Sequence, residues 1–209
     1  MRSLLRSMVV ALLLFVATVA SSSAQGYVKL NGLYALGGVI NPAVEFRLSP
    51  HSSFQSELVY SPWQSINNHP LHFGIFMNEY RYYLKQTNRG LYFGANAGMM
   101  AFKMSKPEFA DGGIRFQNRY GKGWGYMLGL VVGYEYQFAE RWLLDVFFGY
   151  SFMESRYNGY SLDGVTDMHP VRPDWKEPAH PDPMNGSAEW LPNKIGISIG
   201  FLIFDPNRR

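Results

Sequence analysis

Hydrophobic and polar positions alternate with period two over most of the chain. The run from Trp124 to Phe138 is the clearest case. Trp124, Tyr126, Leu128, Leu130, Val132, Tyr134, Tyr136 and Phe138 make one alternate row. Gly125, Met127, Gly129, Val131, Gly133, Glu135 and Gln137 make the other. Period two predicts a strand with one row per face. The first row is apolar throughout, with aromatics at both ends, and the second is small or polar. A strand between lipid and a crowded lumen has this pattern.

The pattern predicts eight strands: Tyr27–Gly37, Asn41–Leu48, Ser53–Ser61, Leu71–Lys85, Gly90–Met104, Gly123–Phe138, Trp142–Glu154 and Trp190–Phe204. Tight turns follow the second, fourth and sixth. Longer polar connections follow the third, fifth and seventh, at Pro62–Pro70, Ser105–Lys122 and Ser155–Glu189. An even strand number with short turns at one end and long loops at the other is the rule for outer-membrane barrels. The expected fold is all-β, an eight-stranded antiparallel up-and-down transmembrane β-barrel.

A soluble barrel would turn the apolar rows inward. Rows this rich in Trp, Tyr and Phe would overfill an eight-stranded interior. The opposite rows are mostly Gly, Ser and isolated charges, too sparse for a water-facing surface. Trp63, Trp124 and Trp190 fall at the external ends of strands and Trp142 at the periplasmic end, as aromatic girdles require. In strand four, inward Glu79 and Arg81 put His72 and Asn78 on the outward row. Either a bulge switches faces there or the strand extends beyond the bilayer.

The N-terminus adds an address. Arg2 and Arg6 precede the apolar run Met8–Ala20, and Ser22-Ser23-Ala24 precedes Gln25. Residues 1–24 are expected to be a secretory signal peptide, leaving 25–209 as one barrel domain. The run is too short for a membrane helix. The chain has no cysteine, which excludes disulfides and a lipidated cysteine anchor. Without Arg2 and Arg6, seventeen basic residues face sixteen acidic ones, so nothing points to nucleic acid.

The polar rows carry Lys29, Glu45, Arg47, Glu57, Glu79, Arg81, Glu135, Asp145 and Lys194. Unpaired charge is costly in a narrow lumen, so these nine predict a ladder of ion pairs plugging the barrel. The functional alternative is ion selection in a narrow pore.

Candidate chemistry is sparse. His69 and His72 lie near Ser61 and Ser65, an arrangement that would suit a rim lipid hydrolase or acyltransferase, though no esterase signature accompanies it. His169 and His180, with Asp167, Asp174 and Asp182, have weak metal-ligand spacing in a Pro-rich loop. No catalytic residue, metal site or cofactor is assigned. The loop Ser155–Glu189 has five prolines, and its charges sum to −3. Tyr157, Tyr160 and Trp175 are its candidate anchors for a protein partner.

Short patterns also line up in order: Lys29-x-Asn31, Asn41-x-x-x-Glu45, Tyr60-Ser-Pro62-Trp63, Glu79-x-Arg81-Tyr82-Tyr83, Gly133-Tyr134-Glu135-Tyr136, Trp142-x-x-Asp145 and Lys194-Ile-Gly-Ile-Ser. Together they resemble a family of small outer-membrane β-barrel proteins from Bacteroidota, catalogued as a domain of unknown function. The family typically has Trp where Tyr83 stands. The resemblance implies an outer-membrane location in contact with lipid. Some members are encoded beside fimbrial genes, which implies a role in surface-appendage assembly or anchoring. It implies no catalytic residues.

Overall fold

A computed structural model of the protein describes residues 25–63, 69–105, 107–110, 113–116, 119–162, 167–170 and 185–205. The expected signal peptide, Ser65, Trp175 and His180 lie outside the described residues. Eight long strands carry the fold: β1 (Gly26–Asn31), β2 (Pro42–Ser49), β3 (Ser52–Ser61), β4 (Leu71–Tyr83), β5 (Gly90–Met104), β8 (Arg119–Gln137), β9 (Trp142–Leu162) and β11 (Asn185–Phe204). Three short strands are β6 (Pro107–Ala110), β7 (Gly113–Phe116) and β10 (Asp167–Pro170). Each long strand pairs antiparallel with its neighbour in sequence, β9 pairs with both β8 and β11, and β11 pairs with β1. The sheet therefore closes into an eight-stranded up-and-down barrel with no free long edge.

Closure sorts the side chains by the pleat. Even-numbered residues of β8, from Trp124 to Tyr136, are exposed on the outside, and Leu130 is 70% exposed. Odd-numbered residues such as Met127, Val131 and Glu135 are buried inside. The interior is tight because glycines stand opposite large side chains. A Cβ at Gly133 would lie 2.7 Å from Cε1 of the Tyr92 ring, and one at Gly200 would lie 2.8 Å from Leu143.

The structure refines the sequence reading at several places. The first strand stops at Asn31 instead of Gly37. The Asn31 side chain accepts a hydrogen bond of 3.0 Å from the Leu33 backbone N–H and caps a helical turn, α1 (Gly32–Leu36). The chain then turns at Gly38, whose φ is +66°. The Trp63 ring packs there, its indole N–H donating to the Gly37 carbonyl at 2.9 Å.

Strand four needs no bulge, since β4 pairs with β3 and β5 in unbroken register. Asn78 does lie on the outward row, where its Oδ1 accepts from Ser56 at 2.6 Å. The face switch is in β11, between Pro192 and Lys194. Trp190 and Pro192 precede it on the outside, whereas Lys194, of the same parity, is buried inside. Finally, β8 and β9 run on past their expected ends, to Arg119 and Leu162, in continuous register.

Candidate functional site: the charged lumen

Eight of the nine charges on the polar rows meet inside the barrel. Lys29, Glu45, Glu57, Glu79, Arg81, Glu135, Asp145 and Lys194 are all nearly inaccessible to solvent. Several of the ion pairs join strands that are not neighbours in the sheet, such as Lys29 with Glu135 and Arg81 with Asp145, and so tie the barrel across its lumen.

Arg81 is the hub. Its Nε donates to Glu79 at 2.6 Å. Its Nη1 lies 2.8 Å from Glu135, 2.8 Å from Asp145 and 3.2 Å from Glu45. Lys29, from β1, joins the same three carboxylates: it contacts Glu45 and Glu135 and lies 3.0 Å from Asp145. Nearer the long-loop end, Lys194 bridges Glu57 at 2.8 Å and Glu79 at 2.6 Å. Glu79 links the two clusters.

The carboxylates outnumber the cations, five to three, and neutral donors serve the excess. Tyr83 donates to Glu45 at 2.7 Å and Tyr92 to Asp145 at 3.0 Å. Ser53 also donates to Glu45, and the Asn88 amide reaches Glu135 at 3.1 Å. Asn41 donates to Glu57 at 2.9 Å. A buried charge is tolerated when its lone pairs and protons are satisfied in this way.

Sequence reasoning did not assign Tyr83, Tyr92, Ser53 and Asn88 to this network. The parity of Glu79 and Arg81 places Tyr83 inside and was available as a signal. Asn88 gave none: it enters from a turn with φ of 65°, a left-handed conformation that Asn tolerates.

Arg47 stands apart. It is half-buried at the tight-turn mouth, where it donates to Gln25 at 3.3 Å and to the Ser49 carbonyl at 3.2 Å. Gln25, Tyr27, Arg89 and Gln137 line the same polar mouth. Beneath it, Tyr27, Leu143 and Leu202 form an apolar floor, and Tyr83, Tyr92, Val131 and Phe147 pack within the barrel.

The four tryptophans expected in the girdles are partly exposed, with Trp63, Trp124 and Trp190 towards the long-loop end and Trp142 at the tight-turn end. Trp142 packs on Phe201, and Trp190 stacks on Tyr150.

The remaining candidates are dispersed. Ser61 is buried and donates to the Leu71 carbonyl at 2.6 Å, while His72 is on the outward row against Tyr60, so the two do not form a dyad. Tyr157 and Tyr160 belong to β9, not to a loop, and their alternate positions put them on opposite faces. Tyr160 stacks on Tyr120 at 5.0 Å and Tyr157 lies against Phe102. Among the described residues no group of three or more His, Cys, Asp or Glu would hold a metal ion.

No curated protein and no solved structure matches the chain. One family model does, and it covers residues 8–177, which include the whole lumen network except Lys194. The chain belongs to the family described as protein of unknown function (DUF3575).

Proposed function

We propose that this protein is a non-enzymatic outer-membrane barrel, a structural or surface-binding element whose lumen is sealed by its own ion pairs. The observation that carries the reading is the inversion of polarity between the two faces. Leu, Ile, Val, Tyr and Phe are exposed around the outside, while eight charges are buried at the centre. A water-soluble monomer rarely leaves so large a contiguous apolar surface bare. In a bilayer the same surface meets hydrocarbon, and tryptophans occupy the two interfaces.

The test is the state of the processed chain. It should require detergent to stay monodisperse and should insert into lipid vesicles. A monodisperse, detergent-free monomer would overturn the reading. Planar-bilayer recording should give no conductance steps, because Arg81 and its carboxylates fill the lumen; steady steps would favour a narrow ion pore instead. Lipid A mass spectra should be identical with and without the protein, and a difference would favour a rim hydrolase or acyltransferase.

The family resemblance to barrels encoded beside fimbrial genes supports a finer reading, a role in anchoring or assembling a surface appendage. Deleting residues 167–184 should then abolish partner capture on the cell surface while leaving insertion intact. Full capture by the deletion variant would remove that role from the loop.

A further inference from the structure

We infer that the polar mouth at the tight-turn end is a binding site for a ligand with a free carboxylate group, the end of a short peptide. A cavity of about 200 Å³ opens there, and its walls carry two guanidinium groups, Arg47 and Arg89. One water takes up roughly 30 Å³, so the space admits more than a single solvent molecule. The site stands apart from the membrane reading, since the barrel's own strand ends and turns build it.

Each guanidinium is held by a glutamine amide. Arg89 donates from Nε at 3.1 Å and from Nη2 at 2.8 Å to the same oxygen, Gln137 Oε1. Arg47 donates from Nη1 to Gln25 Oε1 at 3.3 Å. The Gln137 amide is anchored in turn, donating to the Glu140 carbonyl at 3.1 Å. Both cations are therefore oriented by neutral oxygens before a ligand arrives. An amide and a carboxylate are alike in being planar and in presenting an sp² oxygen. A carboxylate that replaces a glutamine oxygen brings charge to the same donors, and such bonds are roughly twice as strong as neutral ones.

Glu140 and Asp205 also line the cavity and have contacts of their own. Their charge repels a dianion such as phosphate more than a singly charged group. Asn88 is a wall shared with the lumen network. It lines the cavity and donates to Glu135 at 3.1 Å and to Glu45 at 3.3 Å. A ligand seated against Asn88 braces that wall, so occupancy stabilises the barrel.

The full processed chain, folded in detergent, is titrated by calorimetry with N-acetyl-alanyl-alanine and with its C-terminal amide. The acid should bind about tenfold more tightly than the amide and should raise the melting temperature at saturation. Arg89→Gln, an exposed side chain outside the lumen network, should melt like the wild type without ligand and lose much of the preference for the acid. Arg47→Gln/Arg89→Gln should abolish it. Lys85→Gln, exposed at the same end but outside the cavity, should keep it. Acetate that competes as well as the peptide supports the site and assigns it to the carboxylate alone. No binding of the acid, equal affinity of acid and amide, or a preference that survives the double variant overturns the inference. Inorganic phosphate that binds more tightly than the acid overturns the carboxylate assignment. A chain that stays monodisperse without detergent defeats the membrane reading and leaves this titration as it is, so the two failures are distinct.

Discussion

The guanidinium carbon of Arg81 sits 4.5 Å from the centre of the Tyr92 ring. Tyr92 in turn holds Asp145 through its hydroxyl, and Asp145 pairs with Arg81. The ring thus forms one wall of the cation's cage and also orients one of its counter-ions. Packing and charge pairing at the centre of the barrel are the same set of contacts.

Arg81→Ala should be severely destabilising. It leaves carboxylates buried without their shared partner, at a cost of about 3–5 kcal/mol. Thermal melting in detergent reads this directly. Arg81→Lys keeps the charge but not the fork that reaches Glu79 and Glu135 together, so it should recover only part of the loss. Wild-type melting in Arg81→Ala would mean the lumen is hydrated.

Arg47→Ala is the contrast. Its side chain donates to neutral oxygens at the mouth. The expected loss is about 1 kcal/mol. A loss as large as that of Arg81→Ala would show that the mouth is part of the sealed network.

Tyr83→Phe removes the donor that reaches Glu45 at 2.7 Å and preserves the ring. A hydrogen bond to a buried charge is worth about 1.5–3 kcal/mol. Denaturant midpoints for this variant should fall by the corresponding amount. No fall would mean that Ser53 and Asn88 satisfy Glu45 unaided.

Two glycine substitutions should separate interior from exterior. Gly133→Ala drives a methyl group into the Tyr92 ring and should impair folding, whereas Gly186→Ala meets nothing within 4 Å. The yield of folded barrel after refolding into detergent measures both. Equal yields would contradict the tight packing at Gly133.

Trp63→Ala should release the turn after α1. It removes the indole bond to Gly37 and the ring packed on Gly38. Limited proteolysis should then cut within residues 32–41 faster than in the wild type. Unchanged cleavage would mean that the Asn31 cap holds α1 without Trp63.

Much of this architecture was legible because the pleat has a strict period. Alternation alone places Glu79 and Arg81 inside on β4, and Glu135 and Asp145 inside on β8 and β9. The unread parts lie where something other than alternation decides. Asn31 ends β1 by offering its side chain to the Leu33 N–H, a local contact that alternation does not reveal. At Pro192 the ladder shifts register, and the strand resumes on the opposite face. The extra length of β8 and β9 was hidden because both rows become mixed there: Arg156 and Asn158 alternate with Ser155 and Tyr157, so neither row reads as apolar. Asn88 reaches the lumen from a turn, where no row exists.

The seam between β1 and β11 has a consequence for the order of assembly. Lys29 and Lys194 stand on the two strands that meet there, while all five buried carboxylates stand on β2, β3, β4, β8 and β9. The β1–β2 pairing brings Lys29 to Glu45 without the seam, but until β11 is in place Glu57 and Glu79 lack Lys194. The third cation, Lys194, reaches the carboxylates only when the first and last strands join, so closure completes the ion-pair network. A chain halted before its final strand keeps the Lys29 and Arg81 cluster and leaves the Glu57 and Glu79 end of the lumen without its cation.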